Sequence, residues 1–338
     1  MNIAMVMSTD RLDQEHAMLN RIVVGLVNDG DQVIRIVPST TDDESTYEKA
    51  VSLAKRISTP MPVSRLLRNV RCEELILQLG KNDIDGIIAF GKDAQQVALD
   101  ISPHVDAPVL REVISMRQAK QVKKSSKVWR WLAATPSIER CIAQRVGEER
   151  VALVPLAAAT SNAIESAESE SNCCITILDA ASNFKSTKLI LEALQTKKDI
   201  HVFVELTGRH QHKIWKVIKE LKMLDRVTCL RDMAALRSLI VQSDVVLVPS
   251  QTMPVRTVLL EVMLASIPII AAKIDGFDML IDEETALIVD ESWEEPLQRI
   301  FEDQILAKRI SEAGAHLVAT QYASSTQIAA FEASFTLF

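Results

Sequence analysis

The sequence is short of glycine. It has 9 glycines among 338 residues, where an average usage of about 7% would give roughly 24. Glycine-rich loops bind phosphates through backbone N–H groups, because no side chain blocks the approach of the ligand. A function built on several such loops is therefore disfavoured. No Gly-x-Gly-x-x-Gly follows the first strand of either half, which argues against a dinucleotide-dependent dehydrogenase.

A long apolar run, an excess of basic residues and a cysteine pattern are also missing. No stretch approaches the ~20 apolar residues that a bilayer span needs. The net charge of −7 disfavours a nucleic-acid partner. The five cysteines have no Cys-x-x-Cys spacing, so we expect free thiols in a reducing compartment and no metal site. The sequence therefore predicts a cytoplasmic protein, with only a weak peripheral membrane contact left open.

Short apolar runs alternate with amphipathic helical patterns along both halves of the chain, which is typical of a parallel sheet with helical crossovers. The expected strands of the first half are Ile3–Met7, Gln32–Val37, Gly86–Phe90, Pro108–Leu110, Trp129–Ala134 and Val151–Pro155. Those of the second half are Cys174–Leu178, Ile200–Val204, Val227–Cys229, Val245–Pro249, Pro268–Ala272 and Thr285–Val289. Helices are expected between them, including Gln14–Asp29, Tyr47–Ile57 and Pro296–Gln321.

The pattern stops over a small, polar stretch before it restarts, which is typical of a linker. The sequence thus predicts four parts: a Rossmann-like domain over 1–156, a linker over 157–172, a second Rossmann-like domain over 173–320, and a C-terminal helix over 321–338 that packs back on the first domain. The fold class is α/β, with two doubly wound domains.

Two segments of the second half resemble a known family. Asp244–Ser250 reads Asp-Val-Val-Leu-Val-Pro-Ser, and Val258–Ala271 contains Glu261 followed by Ser-Ile-Pro-Ile-Ile. The order and spacing are similar to those of the retaining, nucleotide-sugar-dependent glycosyltransferases of group 1. Asp275–Val289 and Ala307–Ala323 continue the likeness. The resemblance implies the GT-B architecture, in which the two domains face a cleft.

The resemblance also implies a donor site in the second half, which we expect to form the nucleotide-sugar side. Glu261 matches the glutamate that accepts the ribose hydroxyls, and fixed cations stabilise the departing diphosphate in such sites. The candidate donor residues are Glu261, Lys185, Arg256, Thr257 and Ser186. No catalytic residue is assigned, and no cofactor or metal is expected beyond the nucleotide-sugar co-substrate.

Several positions depart from the family pattern. The first glutamate of the Glu-x₇-Glu motif falls on Met253, and its glycines fall on Pro254 and Arg256. Proline donates no N–H. The Gly-Arg of an earlier loop falls on Asp179 and Ala180, where a carboxylate repels a diphosphate. Arg256 is a candidate replacement cation.

Acceptor-side candidates follow two strands of the first half, because ligands of doubly wound sheets bind at the carboxyl ends of strands. They are Ser8, Thr9, Asp10, Arg11 and Lys92. The basic run Arg117–Lys127 is interpreted as a solvated face, with contact to a membrane or an anionic substrate as the alternative.

Each donor residue also has a purely structural interpretation. Glu261 can be a solvated side chain or a helix cap. Lys185 can be a surface lysine, and Arg256 can pair with a neighbouring carboxylate. His210 and His212 fit a solvated basic turn better than a metal pair. Two functional hypotheses remain: a divergent glycosyltransferase with an unknown acceptor, or an inactive relative that binds a protein partner as a scaffold.

Overall fold

A computed structural model describes the chain except at residues 40–53, 62–63, 65, 81–82, 159–172, 291 and 336–338. The chain divides into two compact units, 1–157 with 324–338, and 158–323. Each unit is an α/β fold around one parallel sheet, so the two doubly wound domains expected from the sequence are confirmed.

The first unit contains a seven-stranded parallel sheet in the order β3-β2-β1-β4-β5-β6-β7. Its strands are β1 Asn2–Met7, β2 Gln32–Pro38, β3 Lys55–Thr59, β4 Gly86–Phe90, β5 Val109–Val113, β6 Arg130–Ala133 and β7 Val151–Leu153. Ile3 to Met7 are all buried, because helices cover both faces of a parallel sheet. That is why the central strands read as continuous apolar runs.

The helices of the first unit begin and end at recognisable signals. They are α1 Thr9–Asn28, α2 Arg68–Leu79, α3 Lys92–Val105, α4 Met116–Ala119, α5 Pro136–Val146 and, at the end of the chain, α12 Ser324–Phe335. Thr135 caps α5 by accepting a hydrogen bond from the Ile138 N–H, and Pro136 occupies the first turn, where no N–H is needed. The helix α12 packs against α1 and β7.

The second unit repeats this plan with six parallel strands in the order β10-β9-β8-β11-β12-β13. The strands are β8 Cys173–Ile177, β9 Ile200–Glu205, β10 Val227–Leu230, β11 Val245–Val248, β12 Ile269–Ala272 and β13 Leu287–Val289. The helices are α6 Phe184–Leu194, α7 Gln211–Glu220, α8 Met233–Ile240, α9 Thr257–Leu264, α10 Glu294–Glu302 and α11 Gln304–Gln321. The chain order of the strands reverses between β8 and β11, and this switch places the N-terminal ends of α6 and α9 at the same carboxyl edge of the sheet.

Two sequence predictions need correction. The helix expected over Tyr47–Ile57 is wrong at its end: Lys55–Thr59 is β3, with Ile57 and Thr59 buried and Ser58 exposed, the two-residue period of a strand. Residues 47–53 of that prediction lie outside the described ranges, as do residues 159–172 of the expected linker. The single helix expected over Pro296–Gln321 is two helices, because Asp303 caps α11 through the Leu306 N–H.

Helix α1 begins five residues earlier than the apolar spacing indicated, at Thr9 rather than Gln14. Ser8 is the residue that precedes it. The acceptor-side candidates Thr9, Asp10 and Arg11 therefore form its first turn.

Candidate functional site

The donor residues chosen from the sequence lie at or near the N-terminal ends of two helices of the second unit. Lys185 and Ser186 are in the first turn of α6, after β8. Arg256 precedes α9, after β11, and Thr257 and Glu261 lie on that helix. Because β8 and β11 are adjacent strands at the point where strand order reverses, the carboxyl ends of both meet where ligands of this fold bind. We call this region the α6–α9 edge.

Asn183 connects the two loops of the α6–α9 edge. Its side-chain oxygen caps α6 by accepting from the Ser186 N–H. Its side-chain amide donates to the Ser186 hydroxyl at 2.9 Å and to the Pro249 carbonyl, just after β11, at 3.0 Å. The loop after β8 is thereby fixed to the loop after β11, and Ser186 has its position set by this cap.

Asp179 stands where the family has a glycine, in a left-handed backbone conformation with φ of 50°. The Asp179 carboxylate accepts hydrogen bonds from Ser182 and Ser250. Burial and the nearby Glu205 carboxylate raise the pKa of Asp179, because both favour the neutral acid. The next residue, Ala180, stands where the family has an arginine, so no cation is present at this position. Ala180 is fully buried in the core.

Arg256 is buried and bound to Glu205, at the end of β9. Its Nη1 lies 2.9 Å from each carboxylate oxygen of Glu205, and Glu205 also accepts from the Asp179 N–H at 2.8 Å. The Arg256 side chain is 4% exposed. This is the carboxylate pairing that the sequence left open as the alternative to a phosphate contact.

Glu261 lies at the surface of α9 and contacts a second arginine. Arg237, on α8, forms an ion pair with the Glu261 carboxylate and donates to the Thr257 hydroxyl at 2.9 Å. The Arg237 and Glu261 side chains are 21% and 24% exposed, so a ligand in solvent can reach both. Thr257 is fully buried and faces Arg237 rather than solvent.

A group of cations surrounds the start of α6. Lys185 is exposed and forms no ion pair within the described part of the chain. Lys213 lies 5.6 Å from the centre of the Phe184 ring, and the His210 ring is 6.2 Å from the same ring. The pKa of His210 is lowered by partial desolvation and by the charges of Arg209 and Lys213. Nearby positive charges disfavour the protonated imidazole, so the lowered pKa indicates a locally positive surface.

Met253 and Pro254 remain at the positions where the family has a glutamate and a glycine. Met253 lies in the loop between β11 and α9 and is 2% exposed. In the described ranges, no three His, Cys, Asp or Glu side chains gather as metal ligands. The arrangement therefore offers surface cations and the Glu261 carboxylate as its means of holding a ligand.

The acceptor-side candidates lie together at the carboxyl ends of β1 and β4, but not all are accessible. Ser8 and Arg11 are buried, and Arg11 Nη2 lies 2.6 Å from Glu112, at the end of β5. Asp10 and Lys92 are exposed, and Thr9 is half-buried. Ligands at this edge can reach Thr9, Asp10 and Lys92, whereas Ser8 and Arg11 belong to the packing beneath them.

Three residues of the α6–α9 edge were missed in the sequence: Asn183, Glu205 and Arg237. An asparagine directly before an apolar helical pattern, as Asn183 is before Phe184, is a recognisable N-cap signal. The other two had no local signal, because Glu205 and Arg256 are 51 residues apart and Arg237 and Glu261 are 24 apart.

Comparison with known families agrees with the fold. Residues 173–303 match the family model "Glycosyl transferases group 1", so the second unit contains a group 1 glycosyltransferase domain, and the resemblance noted in the sequence is confirmed. No curated protein is a significant match.

Solved structures of the GT-B type are similar over the whole chain. HepE (Alr3699) from Anabaena, in complex with UDP and glucose, has a TM-score of 0.80 at 14% identity, covering 100% of both chains. Sucrose-phosphate synthase (tll1590) from Thermosynechococcus elongatus has a TM-score of 0.77 at 16% identity, covering 99% of this chain and 98% of that one. WaaG, a glycosyltransferase involved in lipopolysaccharide biosynthesis, has a TM-score of 0.71 at 14% identity, covering 100% and 99%. Identities this low establish the GT-B fold alone.

The helices and the cysteines add two findings. Among the described residues, no helix combines the length and the apolar character that crossing a bilayer requires. All five cysteines lie in the described ranges and are free, as the sequence predicted.

Proposed function

We propose that this protein is a glycosyltransferase that takes a sugar from a nucleotide-sugar donor bound at the α6–α9 edge. The observation that supports this most is Glu261. It lies on the helix that follows the switch-point strand, it is accessible, and Arg237 holds its carboxylate in place. A carboxylate so placed can accept hydrogen bonds from both ribose hydroxyls, the role that the resemblance implies.

The diphosphate of the donor needs cations, and the α6–α9 edge has them on the side of α6. Lys185 is accessible at the N-terminus of α6, where backbone N–H groups also favour an anion. Arg209 and Lys213 add positive charge beside Phe184. We assign the diphosphate to this side, and not to Arg256, because Glu205 already neutralises that guanidinium.

In the proposed reaction an acceptor hydroxyl oxygen forms a bond to the anomeric carbon of the sugar, and the bond from that carbon to the diphosphate oxygen breaks. The nucleoside diphosphate leaves with the bonding electrons, and the hydroxyl proton is released. Lys185 would stabilise the charge that develops on the leaving group. We assign the acceptor to the first unit, with Thr9, Asp10 and Lys92 as the accessible candidates.

Titration calorimetry with UDP, GDP and ADP, and with their sugars, with and without magnesium, tests the proposal. UDP-sugars come first, because HepE, which has a similar fold, has been crystallised with UDP-glucose. Glu261→Gln and Lys185→Gln should each weaken binding about 10- to 100-fold, the value of a hydrogen bond to a charged group.

Matched controls come from the same unit. Lys188→Gln on α6 and Glu220→Gln on α7 each remove one charge of an exposed ion pair. In both pairs the two residues are four positions apart on one helix. Both should bind nucleotides as the unaltered protein does. Equal losses in the control and site variants would contradict the assignment of the site.

The buried pair of Arg256 with Glu205 favours a second candidate function, an inactive relative that binds a protein partner. Asp179 stands where the family pattern has a glycine, Met253 stands where it has a glutamate, and Glu205 and Met253 are both buried. Folded protein that takes up no nucleotide at millimolar concentration would support this second function and overturn the first.

A further inference from the structure

The first unit contains a cavity of about 400 Å³. It lies between the N-terminal turn of α3, the end of β5, the start of β6 and the segment that follows α4. Four cationic side chains are part of its lining, those of Lys92, Arg111, Lys123 and Lys124. Gln95 and Trp131 lie beside them.

Arg111 is the central cation of this cavity. Its guanidinium lies 4.5 Å from the centre of the Trp131 ring and donates to the Gln95 side-chain oxygen. Within the described part of the chain it has no carboxylate partner, and its buried Nε has no hydrogen-bond acceptor. Burial lowers the pKa of Arg111 to about 10, so it is still charged at neutral pH.

The remaining charges of the cavity do not compensate Arg111. Lys92, Lys123 and Lys124 are exposed at its mouth. The carboxylate in its lining, Glu112, lies 2.6 Å from Arg11 Nη2 and is therefore already committed. A half-buried cation without a counter-ion is costly, which leaves the site in need of an anion.

The lysines are held at the cavity by the packing of their segment. Arg145, on α5, donates to the Val122 carbonyl at 3.0 Å. Ser115 caps α4 through the Gln118 N–H, and the Gln118 side chain accepts from the Ile114 N–H at 2.9 Å. Lys123 and Lys124 therefore line the cavity while their side chains remain exposed to solvent.

We propose that this cavity binds the phosphate group of a phosphorylated small molecule, with the Arg111 guanidinium on the phosphate oxygens and Lys123 and Lys124 at its mouth. The planar guanidinium matches two phosphate oxygens at once, and Gln95 and Trp131 hold it in place. All lining residues of this site belong to the first unit, and phosphate binding there does not depend on sugar transfer. Its ligand is either free phosphate or a phosphate monoester.

Titration calorimetry of the full chain without nucleotide tests the proposal, with inorganic phosphate, glucose 6-phosphate and glucose as probes. Both phosphates should bind and glucose should not. Tighter binding of glucose 6-phosphate than of phosphate would identify a monoester as the ligand, and the reverse would identify free phosphate. Arg111→Gln should weaken binding about 10- to 100-fold, and Arg111→Lys should weaken it less.

The controls separate this site from the donor site. Arg117→Gln removes an exposed arginine of the same segment that is not part of the lining, and it should leave phosphate binding unchanged. Lys185→Gln, which alters the proposed donor site, should not reproduce the loss of binding seen with Arg111→Gln. If Arg111→Gln does not fold, as judged by thermal unfolding, Lys123→Gln with Lys124→Gln replaces it and should weaken binding about tenfold. The absence of phosphate binding, or equal binding by the cavity variants and Arg117→Gln, would overturn the proposal.

Discussion

Arg256 Nη1 lies 2.9 Å from both carboxylate oxygens of Glu205, and both side chains are buried. Arg256 precedes α9 and Glu205 ends β9. Because Glu205 also accepts from the Asp179 N–H, this one ion pair connects the loops that follow β8, β9 and β11. The buried pair thus stabilises the carboxyl edge of the second sheet.

Replacing one member of this pair should destabilise the protein strongly. Arg256→Met leaves the Glu205 carboxylate buried without its cation, which costs about 3–5 kcal/mol in such cases. The double variant Arg256→Met with Glu205→Met should recover most of that loss, because no unpaired charge remains. Urea unfolding followed by circular dichroism measures both free energies.

An exposed pair provides the comparison. Lys188→Gln removes a cation that lies 3.5 Å from Glu192 at the surface of α6, and such pairs contribute less than about 0.5 kcal/mol. If Arg256→Met costs no more than Lys188→Gln, the pair of Arg256 with Glu205 does not hold the edge.

Asp179→Asn should stabilise the protein at neutral pH. Burial raises the pKa of Asp179 in the folded state, so the ionised form costs stability above that raised pKa. The cost shrinks as the pH falls through the raised pKa and is absent below the ordinary pKa of aspartate, about 3.9. Asparagine also tolerates the left-handed backbone here.

The gain in the free energy of unfolding should therefore be largest at neutral pH and disappear in acid. Thermal unfolding over a series of pH values measures it. Asp225→Asn, at an exposed position of the same unit, should give no gain at any pH. A gain for Asp179→Asn that persists below the ordinary aspartate pKa would contradict the assigned cause.

The fold could be predicted from the sequence because its signals are local. Val245–Val248 and Ile269–Ala272 are fully buried strands, and they appear in the sequence as apolar runs between helical patterns. Lys55–Thr59 was missed because its local signal is weak. This edge strand begins with two charged residues, and only Ile57 and Thr59 are buried.

The candidate site could be predicted only in part, because side-chain partners are not local. Lys185 and Glu261 were identified by their order relative to a family pattern. The pairing of Arg256 with Glu205 depends on β9 lying beside β8 in the sheet, which the sequence of either strand does not specify. Arg111 was not singled out for the same reason, since Trp131 and Gln95 reach it from a neighbouring strand and a helix.

Phe331→Ala should destabilise the first unit. Phe331, on α12, is 2% exposed, and its ring meets that of Phe90 edge to face with centroids 6.0 Å apart. Removing a buried phenylalanine side chain costs about 3–5 kcal/mol. Leu77→Ala, on the solvent side of α2, should change stability by less than about 0.5 kcal/mol. Similar unfolding midpoints for both variants would show that α12 contributes little to this core.

Gly91→Ala should destabilise the first unit more than Gly30→Ala does. Both glycines have positive φ, 88° and 94°, which costs an alanine roughly 1–2 kcal/mol at either position. Only at Gly91 does the added Cβ also meet neighbours: it overlaps Ser8 Oγ and lies 2.9 Å from Arg11 Cγ, whereas nothing lies within 4 Å of the Cβ at Gly30. The difference between the two variants in urea unfolding therefore measures how closely Ser8 and Arg11 pack beneath the acceptor-side edge. Equal losses would mean that this packing is loose enough to admit a methyl group.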